Sequence, residues 1–306
     1  MHAEPTALTP DMTVESVAVD EWRHAEASIA GLAHEKSGTP CQDAHSVQFL
    51  PSRSGTILIV AVADGAGSAK HSAQGSRIAC DAAVEVVRRH IEREGDIANV
   101  QEESLHLWFD SCAERVADRA AVLECENRDL ACTLLLAVIS PQRAVFAQLG
   151  DGAIVIERNH SLDAVSWPQN GEFINTTLFI TSPSDRAELQ THILEEAIGE
   201  IAMFTDGLEF LALEFAERRA HTPFFAPLLA STRMLLPVDT DSANAALGDF
   251  LASPPVRERT DDDLTLVLAS RRPPHFALSP TQVQVVVEPS SPEPSDTSGT
   301  TGGDEP

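Results

Sequence analysis

Short, wholly apolar runs alternate along this chain with stretches in which apolar residues recur every three or four positions. Ile57–Ala63 reads ILIVAVA and ends in Asp64-Gly65, the pattern of a strand buried on both faces that runs into a turn. Between residues 72 and 90, Ile78, Ala79, Ala82, Ala83, Val86 and Val87 fall on helical spacing. A second helix is predicted with Leu105, Trp108, Phe109, Cys112, Val116 and Ala120 on one face. Thr133–Ile139 and Ala144–Leu149, separated by Pro141-Gln142-Arg143, predict an antiparallel hairpin that continues through Gly150-Asp151-Gly152 into Ile154–Ile156. Alternation at Leu189, Thr191 and Ile193 predicts a further strand. Ile201–Phe204 predicts another, leading into Thr205-Asp206-Gly207 and a helix over Leu208–Arg218. A last helical stretch near Ser242–Leu251 precedes Asp261-Asp262-Asp263 and the strand Leu264–Ala269. Strands in meanders and helices in consecutive pairs predict an α+β fold with antiparallel sheets, not a doubly wound βαβ sheet.

The ends of the chain break this pattern. Residues 1–20 lack periodicity and carry Pro5 and Pro10, as a mobile arm would. Residues 273–306 form an acidic tail dominated by Pro, Ser, Thr and Gly, too polar to order itself, apart from Val283–Val287, which could add a short strand or docking segment. One domain over 21–272 lies between them. The net charge of −26 resides mainly in that domain, because the tail supplies only Glu288, Glu293, Asp296, Asp304 and Glu305. Such a surface repels nucleic acid and anionic membranes; most of the charge simply keeps the protein soluble. The longest apolar runs are too short to span a bilayer, so no membrane partner is expected. Five cysteines without Cys-x-x-Cys spacing exclude a disulfide framework or structural zinc site and fit a reducing cytoplasm.

Chemistry concentrates where apolar strands meet acids. Asp64-Gly65, Asp206-Gly207 and Asp262-Asp263 each lie at a strand end, with Asp43 a fourth candidate. A strand end holds a carboxylate rigidly, and a following glycine lets carbonyl and water approach. Oxygen ligands without histidine suit hard ions such as Mg²⁺ or Mn²⁺ rather than zinc. Asp-Gly also marks ordinary turns, but several acidic ends on apolar strands are hard to explain that way. Gly65-Ala66-Gly67 lacks the third glycine of a dinucleotide fingerprint, since position 70 is lysine. A phosphate-binding Walker loop is absent.

The order of motifs resembles the type 2C family of metal-dependent serine/threonine protein phosphatases, and a bacterial branch of it. The matching segments begin with Gly31-Leu32-Ala33-His34, Gly38–Ala44 (GTPCQDA) and Val62–Ser68 (VADGAGS). Ala131-Cys132-Thr133-Leu134, Leu149-Gly150-Asp151-Gly152, Phe204-Thr205-Asp206-Gly207 and Asp262-Asp263-Leu264-Thr265 follow in the family's order. The resemblance implies a four-layer α-β-β-α sandwich of two central antiparallel sheets with a binuclear Mn²⁺/Mg²⁺ centre at one end. It implies that Asp64 bridges both ions and that the Gly65 carbonyl, Asp206 and Asp262 complete one shell. Asp43 would act directly or through water. Asp129 falls near the place of a ligand for a weaker third ion, whereas Asp151 fits a structural turn residue. The catalytic set implied is therefore Asp43, Asp64, Asp206 and Asp262.

Departures from the family pattern fall on other groups. Gln42 stands where many members have Glu, and Ala66 where several have a histidine thought to protonate the leaving group. The phosphate-binding arginine has no match, position 38 being Gly; His34 or Lys36 could take its place, or be solvated loop residues. The implied reaction is one-step hydrolysis of phosphoserine or phosphothreonine by water shared between two ions. Its partners are a phosphorylated protein and a cognate serine/threonine kinase or that kinase's targets. Two rivals remain: a catalytically weak or inactive phosphoprotein-binding module, favoured by the missing Arg and His, and a metal-dependent phosphodiesterase, disfavoured by the lack of histidine-rich motifs.

Overall fold

The structure, a computed structural model, describes residues 22–169 and 177–271. The expected arm over 1–20 and the tail from 273 onward, Val283–Val287 included, lie outside the described residues.

Two five-stranded antiparallel sheets make the centre. The first contains β1 (Trp22–Ile29), β6 (Ala153–Arg158), β7 (Ser161–Ser166), β9 (Glu200–Phe204) and β12 (Leu264–Arg271), in the order β1-β12-β9-β6-β7. The second contains β2 (Ala44–Ser52), β3 (Gly55–Ala63), β4 (Leu134–Ile139), β5 (Ala144–Leu149) and β8 (Gln190–Leu194), in the order β2-β3-β4-β5-β8. β3 explains the architecture. Its Leu58, Val60 and Val62 pack between the sheets with Leu135, Phe146, Ile154, Met203 and Val267. Its Ile57, Ile59, Ala61 and Ala63 point the other way, into a layer of helices. A strand covered on both faces needs apolar residues at every position, and ILIVAVA supplies them.

The helical layer over the second sheet is α2 (Ser72–Glu94) and α3 (Glu102–Val122); the short α1 (Leu32–Ser37) precedes them. Ala79, Cys80, Ala83, Val87 and Ile91 form the buried stripe of α2, and Gly95, at φ +80, ends it by donating its amide to the Ile91 carbonyl. Gln101 and Ser104 close a capping box at the start of α3, with Glu102 and Glu103 set against the helix dipole. On the far side, α5 (Thr222–Met234) and α6 (Thr240–Leu251) cover the first sheet, burying Phe225, Leu229, Leu247 and Leu251 against Phe204, Leu266 and Leu268. The four-layer α-β-β-α order thus follows from three apolar layers, one between the sheets and one under each helix pair.

One expected element differs. Leu208–Arg218 is not one helix: a 3₁₀ turn (Asp206–Leu208) leads to the single turn α4 (Glu209–Ala212). A two-residue ribbon follows, β10 (Leu213–Glu214) paired with β11 (Arg219–Ala220). Burial of Leu208, Ala212, Leu213 and Ala220 in the core beneath α5 holds both arms of this ribbon down, so the chain doubles back. A four-residue helix, α7 (Pro254–Arg257), precedes β12. Among the described residues no helix is long and apolar enough to cross a membrane.

Candidate metal centre

Strand pairing alone brings the acidic residues to one end of the sandwich. Ala44 pairs with Ala63, so Asp43, before β2, lies beside Asp64, after β3. Leu134 pairs with Leu149, which places Gly150-Asp151 beside Thr133. Phe204 pairs with both Ala153 and Leu266, which brings Asp206 to the same end as Asp151 and Asp262.

Local bonds fix each group. The Asp64 amide donates to the Thr133 hydroxyl at 2.8 Å, and the Thr133 amide donates to the Asp64 carbonyl at 2.8 Å. Ala66 donates to the Ala131 carbonyl, so Asp64–Ala66 is clamped along Ala131–Thr133. A Cβ on Gly65 would stand 2.7 Å from the Gln42 carbonyl oxygen and 2.8 Å from the Ser72 backbone; only glycine fits. Asp43 is buried and accepts the Thr205 hydroxyl at 2.7 Å, while that hydroxyl accepts the Thr265 amide. Asp151 sits in a Gly-Asp-Gly turn that buried Gln148 braces, its Nε2 donating to the carbonyls of Gly150, Gly152 and Trp167. One Asp151 oxygen accepts the Thr177 hydroxyl at 2.5 Å; the other is buried without a hydrogen-bond partner.

Ligand atoms of Asp64, Asp151 and Asp206 all lie within 4.8 Å of one another. Asp262, at the solvent edge, is close enough for its charge to act on all three. Burial, then mutual repulsion, pushes these carboxyls up: Asp206 to about 9, Asp64 well above the usual range, and Asp151 upward. Asp43 rises to about 7, chiefly by burial, against the lowering effect of its hydrogen bonds with Thr205, Thr265 and Asp64. Glu209, following the 3₁₀ turn, rises to about 8 through burial and the Asp151 charge, and its Oε1 is buried without a partner. Repelling carboxylates with unpartnered buried oxygens are what a divalent cation relieves. The all-oxygen donor set fits a hard ion.

The remaining expected residues lie elsewhere. Asp263 is buried and structural, accepting the Gly31 and Gln42 amides and the His34 ring at 2.6–2.8 Å. His34 is therefore committed to that brace, and Lys36 is exposed on α1. Asp129 accepts the Glu126 amide and caps the turn Asn127–Leu130, apart from the three-aspartate cluster. Asp151, read from sequence as a turn residue, occupies the cluster. Its flanking glycines mark a turn, while the pairing of its hairpin with the strand that clamps Asp64 is what brings Asp151 into the cluster. Burial pushes the Cys41 and Cys132 thiols up, which leaves no thiolate nucleophile beside the site.

Mutually repelling carboxylates gathered on strand ends, with buried unpartnered oxygens among them, are the site of a metal-dependent enzyme. The protein phosphatase 2C family model matches residues 30–252, and the chain belongs to that family. Serine/threonine-protein phosphatase 3 of Escherichia coli (strain K12) is 34% identical over 250 residues, covering 81% of this chain and 98% of that protein. Serine/threonine phosphatase Stp1 from Staphylococcus aureus shares the fold at a TM-score of 0.56 and 14% identity, over 82% of this chain and 95% of its own. The catalytic domain of the phosphatase PstP, solved with two manganese ions, does so at 0.52 and 15% identity, over 83% and 99%.

Proposed function

We propose that residues 21–272 form a phosphatase domain that hydrolyses phosphoserine and phosphothreonine monoesters on proteins, using Mn²⁺ or Mg²⁺ held by the strand-end carboxylates. The observation that carries this reading is the meeting of Asp64, Asp151 and Asp206 within 4.8 Å. Asp64, the Gly65 carbonyl, Asp206 and Asp262 would hold the ions, with Asp43 supporting them directly or through water and Asp151, rather than Asp129, offering a further, weaker ligand. Ions held there would supply charge neutralisation for the phosphoryl group and a water acidified enough to react near neutral pH.

The chain's own residues do the positioning. Thr133 and the Ala131 carbonyl hold Asp64–Ala66, Thr205 orients Asp43, and Asp263 ties the segments of Gly31 and Gln42 to the start of β12. Ala66 and Gln42 supply neither an acid nor a charged ligand, so catalysis rests on the aspartates and on what they bind. Substrates are phosphorylated proteins, with a cognate kinase or its targets as partners. The five free cysteines fit a cytoplasmic setting.

Phosphate release from a phosphothreonine peptide tests the reading. Release that requires Mn²⁺, stops with chelator and is lost in Asp206→Ala is expected. Release that survives chelation would sink the two-ion account, and metal binding without turnover would favour a phosphoprotein-binding module.

A further inference from the structure

Beside the carboxylates lies an aromatic ridge that the hydrolytic chemistry does not use. Phe210 follows Glu209 directly and is 76% exposed, an unusual position for a phenyl ring in a well-packed domain. Its ring lies 5.8 Å from that of Phe215, which is 43% exposed; Phe215 lies 5.6 Å from Trp167, and the Arg218 guanidinium sits 5.2 Å from the centre of the Trp167 ring. The four side chains form one continuous strip.

Both ends of the strip are joined to the metal centre. Phe210 stands four positions after Asp206, through the 3₁₀ turn and α4. The Trp167 carbonyl is held by Gln148, the same side chain that braces Gly150 and Gly152 around Asp151. The base of the ribbon carrying Phe215 and Arg218 is fixed by burial of Leu213 and Ala220 and by the His221 amide donating to the Ala212 carbonyl at 2.8 Å. Arg218 has a left-handed backbone, φ +49, at the turn that lays it over Trp167. The ridge is thus preformed rather than a loose loop.

We infer that this ridge is a specificity site for the substrate polypeptide, gripping an aromatic or large aliphatic side chain a few residues from the phosphorylated one. The inference rests on the phosphatase reading, which puts the phosphoryl group at the carboxylates. Four helical residues advance about 6 Å, and an extended peptide covers about 3.3 Å per residue. With the reach of the rings added, the anchor falls two to four residues from the phosphoresidue. The exposed phenyl face selects an apolar flank.

The test is a set of phosphothreonine peptides on a serine background, with one Phe walked through the four positions on each side, hydrolysed with Mn²⁺. In the full-length protein kcat/KM should rise about tenfold at one or two neighbouring positions, the effect of partly burying one phenyl ring. In Phe210→Ser, and separately in Phe215→Ser, that maximum should collapse to within about twofold of the serine parent. The ratio is internal to each variant, so a general loss of rate does not hide it. A flat profile in the wild type, or a maximum that both variants retain, overturns the inference while leaving the phosphatase reading standing. Failure on every peptide and on phenyl phosphate removes that reading and the inference together. If Phe210→Ser instead turns a dimer into a monomer while the wild-type profile is flat, the ridge is a self-association surface.

Discussion

Replacing Asp206 by asparagine should stabilise the cation-free protein and at the same time remove most of the stabilisation a cation brings. Asp206 keeps its proton up to about pH 9 in the folded chain, against 3.8 for the ordinary carboxyl. The folded state therefore binds more protons than the unfolded state across that window, and stability falls as pH rises through it. The slope reaches about 1.4 kcal/mol per pH unit for one fully shifted group, or about 2.7 kcal/mol between about pH 5.5 and about pH 7.5. Asp206 is half-buried and shares its repulsion with Asp64, Asp151 and Asp262, so about 1–2 kcal/mol of that change is expected to vanish in Asp206→Asn. For a domain of this size that is about 3–6 °C in Tm. Thermal unfolding with chelator should show the variant's advantage growing by this amount over those two pH units. With Mn²⁺ at about a hundred times its Kd, the wild type gains about 2.7 kcal/mol and the variant much less, which offsets the variant's advantage. A variant whose advantage does not grow with pH, or whose Mn²⁺ shift equals the wild type's, would refute the claim that Asp206 is both repelled and a ligand.

Other substitutions separate the roles of individual residues. Asp151→Asn should weaken Mn²⁺ binding about tenfold by calorimetry, whereas Asp129→Ala should leave it unchanged and cost about 1 kcal/mol in urea unfolding through its lost cap. Gln42→Glu should raise Mn²⁺ affinity at pH 7.5, because the Gln42 Oε1 is buried without a partner near the site, and should destabilise the chelated protein. Gly65→Ala should cost about 1–3 kcal/mol and lower metal-dependent turnover, since its methyl meets backbone from both Gln42 and Ser72; a well-folded, fully active variant would contradict that crowding.

Much of the centre of this molecule was legible from pattern. Ile57–Ala63 carries the pattern of a strand covered on both faces, and the turn at Pro141-Gln142-Arg143 sets the pairing of β4 with β5. Acids at the ends of apolar strands pointed to the site because antiparallel pairing gathers alternate strand ends at one edge. What escaped depended on tertiary packing. Pro223 and Pro227 mask α5, which forms because Phe225 and Leu229 bury against the first sheet. The helical spacing of Leu208–Arg218 could not show that Leu213 and Ala220 would pair instead. Asp151 looked like turn chemistry because its neighbours are glycines; only the register of the hairpin places it opposite Asp64. Asp262 and Asp263 are adjacent in sequence but differ in role: one stays at the solvent edge near the cluster, while the other is buried as a brace.

Anomalous scattering from crystals soaked in Mn²⁺ tests the central claim most directly. Two peaks should appear at the end of the sandwich, both about 2.0–2.2 Å from oxygens of Asp64, one of them also bound by Asp206 and the Gly65 carbonyl. Peaks that avoid Asp64, or that gather at Asp129 instead, would contradict the carboxylate centre described for this protein.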